Sequence, residues 1–187
     1  GESITLDVAG MHPASIIALN LFGSYTKRFK DIVDGRLAAK HFDVNAAEHL
    51  LDGKLAKYMV DKATAKKLAK ALKIVVNSVY GYTTATFENP FKDKRNIDNI
   101  VAKRGALFMV NLKEEVEKRG FTVIHIKTDS IKIHKPTPEI IQFVYDYGKQ
   151  YGYEFEVEHK FEKICLVNNA VYIAKLAADD PEDPEGE

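Results

Sequence analysis

The feature that most constrains the fold of this chain is the order in which strand-like and helix-like segments follow one another. Residues 4–9 form a short apolar run typical of a buried strand, and residues 121–127 and 130–134 alternate like the two arms of a hairpin. Helical periodicity covers residues 98–119 and 137–151, and two or three strands are expected within 153–159, 161–167 and 170–175. The order strand, helix, strand, strand, helix, strand predicts an α+β fold with a ferredoxin-like split βαβ sheet.

Residues 13–97 interrupt that order directly after the first strand, and their pattern is helical. A capping-box spacing of Asn45 and Glu48 predicts one helix start, and Asp98 is expected to cap the helix that follows the insertion. Gly23 and Gly53 are each predicted to end the helix that precedes them. The sequence therefore predicts a helical lobe inserted into the sheet, with helices at 13–22, 25–40 and 45–51 and a long one from Lys57 or Asp61 to Tyr80.

Charge is unevenly distributed, although the formal net charge is zero. Residues 178–187 hold six acids and no base, which predicts a disordered acidic tail and leaves 27 basic against 21 acidic residues in the body. A basic body has the sign that a nucleic-acid partner requires. The single Cys165 excludes an internal disulfide framework and fits a reducing compartment. No apolar run of about 18 residues is present, so no membrane span is expected.

The end of the long helix carries a candidate binding face. Lys73, Asn77 and Tyr80 follow one another at helical spacing, so an ammonium, an amide and an aromatic ring lie in line. Such a set suits a charged, planar ligand such as a nucleotide, and Gly81 is positioned to end the helix behind the tyrosine. On spacing alone, a solvated helix face with a packed tyrosine is the simpler interpretation.

Two carboxylates occupy positions that a split βαβ sheet can bring together. Asp7 ends the first strand, and Asp129 lies in the turn of the hairpin. Carboxylates on neighbouring strands suit Mg²⁺, which needs only one or two of them besides substrate phosphates. Each Asp alone is also an ordinary turn or cap residue.

Three segments together resemble the motifs of B-family (replicative type) DNA polymerases, in the order that this family has. The segment from Asp7 to Ile17 resembles the first palm motif, D-x-x-S-L-Y-P-S-I-I. The segment from Lys73 to Gly81 resembles the fingers motif K-x-x-x-N-S-x-Y-G, and Lys127 to Ser130 resembles the D-T-D-S hairpin. The resemblance spans residues 4–176. It implies a palm at 1–12 and 98–177, a fingers insertion with its connecting loop at 13–97, and the disordered tail at 178–187.

The resemblance also implies an activity and its residues. It implies template-directed DNA synthesis from dNTPs on a primer–template, with two Mg²⁺ or Mn²⁺ ions held by Asp7, Asp129 and the backbone carbonyl of Val8. Further partners would be a replication clamp or other replisome proteins. The residues that would bind the incoming nucleotide are Arg36, Lys40, Lys73, Asn77, His12 and Tyr80. Those that would contact DNA are Lys127, Thr128, Gly81, Tyr172 and Lys175.

Three departures from the family pattern qualify these expectations. Lys127 stands where the family has an Asp, and we hypothesise that its ammonium pairs with a site carboxylate or with the primer-end phosphate. His12 replaces the tyrosine that blocks ribose 2′-hydroxyl groups, so weaker sugar selection is expected. Asn169 lies where the family often has a lysine of a K-K-x-Y run, which weakens the expected grip on the duplex although Tyr172 is kept.

The short fingers and these departures favour a phage-like branch, for which the location would be the host cytoplasm. The family's exonuclease and thumb would precede Asp7 and follow Leu176, so palm and fingers alone are expected here. Two alternatives stay open: a non-catalytic nucleic-acid- or nucleotide-binding remnant of a polymerase, favoured by Lys127, and a ribonucleotide-tolerant, primase-like polymerase, favoured by His12.

Overall fold

The computed structural model of the protein describes residues 1–97, 99–167 and 172–181. These residues divide into two compact units, one formed by Gly1–Ala14 with the chain from Ala102 onward and the other by Ser15–Val101. The chain divides after Ala14 and after Val101, whereas the expected boundaries were after residues 12 and 97, and the assignment of the two units as palm and fingers stays a prediction. The expected cap Asp98, the segment from Asn169 to Val171 and the end of the acidic tail lie outside the described residues.

The first unit contains a five-stranded antiparallel sheet. Its strands are β1 (Ser3–Val8), β2 (Thr122–Ile126), β3 (Ser130–His134), β4 (Phe155–Leu166) and β5 (Tyr172–Leu176), in the order β2-β3-β1-β4-β5. With the helices α6 (Ile100–Lys118) and α7 (Pro138–Gln150), the first four strands have the arrangement of a split βαβ fold, and β5 adds an edge. The predicted fold class is confirmed.

Alternation along the strands places one face of this sheet in a hydrophobic core. Leu6, Val8 and Ile131 belong to that core, as do Leu112 of α6 and Val144 of α7. Leu6, Ile131, Leu112 and Val144 are each 0% exposed. Fully burying an aliphatic side chain of this kind contributes about 1.5–3 kcal/mol. Because side chains alternate, the residues between them point to the opposite face, which is where Asp7 lies.

Two or three strands were expected after α7, and the structure has two. The segments 153–159 and 161–167 belong to a single strand, β4. The register of β4 shifts against β1 between Thr5 and Leu6, and against β5 between Phe161 and Lys163. Such irregularities change which face a side chain occupies, so the alternation in the sequence breaks although the strand continues.

The second unit is helical and is built on the pair α2 (Thr26–His41) and α4 (Lys62–Thr83). Phe29 and Val33 share one cluster with Val76, whereas Ala38 and Ala39 share another with alanines of the first turns of α4. The two helices are therefore antiparallel. The unit also holds the shorter helices α3 (Val44–His49) and α5 (Lys94–Ile97), the second half of α1 (Met11–Ala18), and one-turn 3₁₀ segments at Gly23–Tyr25, Leu51–Gly53 and Ala56–Tyr58.

Four ends, in three helices, differ from the expectation. The N-cap of α3 is Asp43, whose carboxylate accepts from the backbone N–H of Ala46, so the expected pairing of Asn45 and Glu48 does not start this helix. Helix α1 begins at Met11, two residues before Pro13, and ends at Ala18 rather than near Phe22. Helix α4 continues through Gly81 to Thr83.

The start of the predicted disordered tail is ordered. Asp180 is 1% exposed, and its carboxylate accepts from the backbone N–H of Lys160 on β4. The ammonium of Lys160 bonds to Asp179. Residues 178–181 therefore form a turn against the sheet, because two acids of the segment find partners there. None of the helices in the described residues is long and apolar enough to cross a membrane.

Candidate active site

The ends of β1 and of the β2–β3 hairpin bring the two predicted carboxylates to adjacent backbone positions. Asp7 pairs with Ser130 in the antiparallel register of β1 and β3. The next residue, Val8, donates its backbone N–H to the carbonyl of Asp129 at 2.7 Å. Asp7 is half-buried and Asp129 is exposed. The expectation that the two strands are neighbours is confirmed, whereas the role of either carboxylate stays a prediction.

His12 lies beside this pair of carboxylates. It is the second residue of α1, and it is half-buried. Burial lowers the pKa of His12, and the carboxylate of Asp129 opposes that change by favouring the charged ring. His12 therefore lies within electrostatic range of Asp129, and the resemblance expected a residue that touches the sugar at this position.

A third carboxylate, not anticipated from the sequence, occupies the same sheet face. Glu156 on β4 is the register partner of Asp7, on the side opposite to Ser130. Phe155 and Val157 pack toward the core, so Glu156 points to the face that carries Asp7. The alternation Phe155-Glu156-Val157 was the available signal. Glu156 could be linked to Asp7 only by knowing that β4 pairs with β1, and this pairing cannot be predicted from the local sequence pattern.

Lys127 and Thr128 lie in the bend of the hairpin, and both are exposed. The backbone N–H of Lys127 donates to the carbonyl of Ser130 at 2.9 Å, which closes the predicted tight turn. Because β2 ends at Ile126 and β3 starts at Ser130, strand alternation does not fix the direction of Lys127 relative to Asp129. In the described part of the chain Lys127 forms no ion pair, so its expected pairing with a site carboxylate is not seen.

The predicted DNA contacts on β5 have partners within the sheet. The ring of Tyr172 lies under the ammonium of Lys132, 3.6 Å from the ring centroid, and a second ring, Phe161, lies 4.6 Å from the same ammonium. Lys132 is 7% exposed, a degree of burial that the sequence did not suggest. Lys175 forms an ion pair with Glu162 at 2.7 Å. Tyr172 is 38% exposed and keeps surface available for a ligand.

The four predicted triphosphate ligands lie on the antiparallel helices of the second unit. Arg36 is half-buried on α2, whereas Lys40, Lys73 and Asn77 are exposed. The shared clusters place the middle of α2 at the level of the middle of α4, so Arg36 and Lys73 lie at similar heights along the pair. A guanidinium and two ammonium groups on paired helices are chemically suited to phosphate oxygens.

The end of α4 is held by a buried hydrogen-bond network. The hydroxyl of Thr83 donates to the carbonyl of Tyr80 at 2.6 Å, and the amide of Asn96 donates to that hydroxyl. The hydroxyl of Thr84 likewise donates to the carbonyl of Gly81 at 3.2 Å. These hydroxyl groups satisfy carbonyls that a helix end leaves open, so the helix does not stop at Gly81. Tyr80 is half-buried and Gly81 is exposed.

The donor set at the sheet fits a hard divalent cation. No three His, Cys, Asp or Glu side chains among the described residues are arranged to hold a metal ion by themselves. Asp7 and Asp129 nevertheless supply two carboxylates from adjacent strands, and Mg²⁺ is commonly held by one or two carboxylates together with substrate phosphates and water. The residues present therefore fit Mg²⁺ or Mn²⁺ as ions that a bound nucleotide would help to hold.

The fold is of the mixed α+β class, with a five-stranded antiparallel sheet and several helices. Among solved structures, the family B DNA polymerase from the hyperthermophilic archaeon Pyrobaculum calidifontis matches with a TM-score of 0.62 over 94% of this chain, at 17% sequence identity. The chain spans 26% of the length of that polymerase. No protein-family model and no curated protein matches the sequence. The similarity shows a shared fold.

Proposed function

We propose that this chain forms the palm and fingers of a template-directed DNA polymerase. In the proposed reaction the primer 3′-oxygen attacks the α-phosphorus of a dNTP, the nucleotide is joined to the primer, and pyrophosphate leaves. The observation that carries the proposal is the pairing of β1 with β3, which brings Asp7 and Asp129 to adjacent backbone positions. Two features support it. The fold is shared with a part of a family B DNA polymerase, and cationic side chains lie on the paired helices of the inserted unit.

In this proposal each residue has a defined task. Asp7, Asp129 and the carbonyl of Val8 would hold two Mg²⁺ or Mn²⁺ ions, which when bound activate the attacking oxygen and stabilise the leaving one. Arg36, Lys40, Lys73 and Asn77 bind the triphosphate and neutralise its charge. Most of the rate acceleration in such transfers comes from positioning and charge stabilisation. Tyr80 supports the nascent base pair, and the hairpin carrying Lys127 faces the primer end.

Primer extension at low salt with Mg²⁺ or Mn²⁺ tests the proposal. Asp129→Asn is expected to abolish extension while leaving the fold intact, because Asp129 is exposed. A matched control is Asp146→Asn on α7, an exposed carboxylate that bonds to Gln142 on a helix packed against the core face of the sheet. Retained extension in Asp129→Asn, or equal loss in both variants, would contradict the proposed site. A wild-type chain that binds primer–template DNA but never extends it would favour the non-catalytic remnant.

The position of His12 beside Asp129 favours a second proposal, that this polymerase tolerates ribonucleotides. An imidazole is smaller than the phenol ring that it replaces in the family pattern. Comparable incorporation of dNTPs and rNTPs, with selectivity restored by His12→Tyr, is the expected result. Strong rejection of rNTPs by the unchanged chain would contradict this proposal without affecting the polymerase assignment.

A further inference from the structure

The basic charge of this chain is concentrated in its helical unit. Residues 15–101 contain 15 Lys and Arg against nine Asp and Glu, although the whole chain is neutral. Helix α4 alone carries five lysines and no acidic residue. Only Lys73 among these five is used by the proposed triphosphate site, so four cationic side chains of the same helix have no assigned task.

Three of those lysines form a continuous line. Lys62, Lys66 and Lys70 are spaced four residues apart, and Lys73 and Asn77 continue the same face toward the end of α4. We name Lys62, Lys66 and Lys70 the lysine stripe. All three are exposed, and at a rise of about 1.5 Å per residue the stripe extends about 12 Å along the helix. Lys67 is also exposed, but it is turned about 100° out of this line.

The stripe does not serve the stability of the helix. Within the described residues, none of its three lysines forms an ion pair, whereas Lys30 of α2 and Lys113 of α6 each pair with an acid four residues away. Like charges four residues apart repel one another, and cations near a helix N-terminus oppose the helix dipole. Lys67 differs, because its charge adds to the hydrogen bonds from Thr64 that lower the pKa of the capping residue Asp61. An external anion would remove the repulsion within the stripe.

We propose that the lysine stripe binds the sugar–phosphate backbone of single-stranded nucleic acid. One row of cations follows one backbone, whereas a duplex presents two. Tyr58 precedes the stripe by four residues in the sequence, and it is an aromatic residue that is 42% exposed. Basic side chains combined with exposed aromatic rings are the usual means of holding single strands without sequence preference. Because the stripe ends next to Lys73, the bound strand is the unpaired template, an assignment that rests on the proposed function.

Fluorescence anisotropy with a labelled oligothymidylate of about 12 nucleotides tests the stripe, without dNTPs or divalent ions. Lys66→Ala is expected to weaken binding about eightfold near 50 mM salt and to lower the salt-dependence slope by about 0.7, the contribution of one phosphate contact. Lys66→Ala combined with Lys70→Ala should double the change in slope. The adjacent control Lys67→Ala should change the affinity less than about twofold. Alanine favours helix, so α4 should form in every variant, which circular dichroism can verify.

Equal losses in Lys66→Ala and Lys67→Ala would overturn the proposal, since they would indicate diffuse attraction by net charge. Tighter binding of a duplex of the same length would overturn the preference for a single strand. Displacement of the oligonucleotide by equimolar inorganic tripolyphosphate would assign the stripe to the nucleotide site instead. The assay requires no catalysis. If a chain that fails to extend primers still bound the oligonucleotide through the lysine stripe, the polymerase proposal would be refuted and the proposal of single-strand binding by the stripe would stand.

Discussion

Asn96 provides a sharp test of how the end of α4 is held. This residue of α5 is 0% exposed, and its side-chain amide donates to the hydroxyl of Thr83. Its side-chain oxygen accepts from the backbone N–H of Val101 at 3.4 Å. Val101 is the second residue of α6, where the backbone N–H groups have no partner inside the helix. Asn96→Ala therefore removes two hydrogen bonds from a site that water does not reach.

The expected loss in the free energy of unfolding follows from the groups that Asn96→Ala leaves without a hydrogen-bond partner. A buried N–H without an acceptor costs about 1–3 kcal/mol, and the lost bond to Thr83 adds about 0.5–1.5 kcal/mol. We therefore expect the free energy of unfolding to fall by about 1.5–4.5 kcal/mol. The bond from Thr83 to the carbonyl of Tyr80 remains, so α4 should keep its length while its end becomes less firmly anchored.

Asn89 is a matched control in the same unit. Its amide donates to the carbonyl of Tyr82 at 3.0 Å and its oxygen accepts from the N–H of Phe91 at 2.9 Å, but the residue is only half-buried. Because water can replace these bonds, Asn89→Ala should cost less than about 1 kcal/mol. Urea denaturation followed by circular dichroism measures both variants, provided that the dependence on denaturant is unchanged. A loss in Asn89→Ala equal to that in Asn96→Ala would refute the argument from burial.

Two further predictions concern glycines and the histidine beside Asp129. At Gly148 of α7 a Cβ would lie 2.8 Å from the carbonyl oxygen of Tyr153, so Gly148→Ala should lower the free energy of unfolding by about 1–3 kcal/mol. At Gly81 no atom of the described residues outside the adjoining helix backbone lies within 4 Å of an added Cβ, so Gly81→Ala should raise the free energy of unfolding by about 0.5–1 kcal/mol. The opposite order of the two variants in urea denaturation would contradict the packing around Gly148. Asp129→Asn should lower the pKa of His12 further, measured by NMR titration, because it removes the charge that opposes burial. The folded-state pKa of His12 is lower than that of an unfolded histidine. The contribution of His12 to stability is therefore present above the unfolded-state pKa and is lost as the pH falls through the folded-state pKa. An unchanged or raised pKa of His12 in Asp129→Asn would contradict the proximity of the two side chains.

Much of the fold was predictable because its information is local. The alternation of residues 121–134 specifies a hairpin, and the tight turn fixes the register of β2 and β3 next to it, up to the shift between Val123 and His125. Once the order of strands and helices is known, few sheet topologies remain, and the split βαβ arrangement places β1 beside β3. The proximity of Asp7 and Asp129 follows from that topology, although the two residues are far apart in the sequence.

The features that escaped prediction depend on contacts between distant segments. Glu156 becomes a neighbour of Asp7 only through the pairing of β4 with β1, and Asp180 is buried only because Lys160 offers a backbone N–H. The ammonium of Lys132 is enclosed by rings from two other strands.

Sequence alone therefore determined the elements, their order and the two carboxylate positions, since these depend on periodicity and turn chemistry within short windows. Tertiary structure alone decided where α4 ends and which polar groups are buried. Both outcomes depend on side chains such as Asn96 and Thr83 coming into contact in the folded chain, and this contact cannot be predicted from the sequence around either residue.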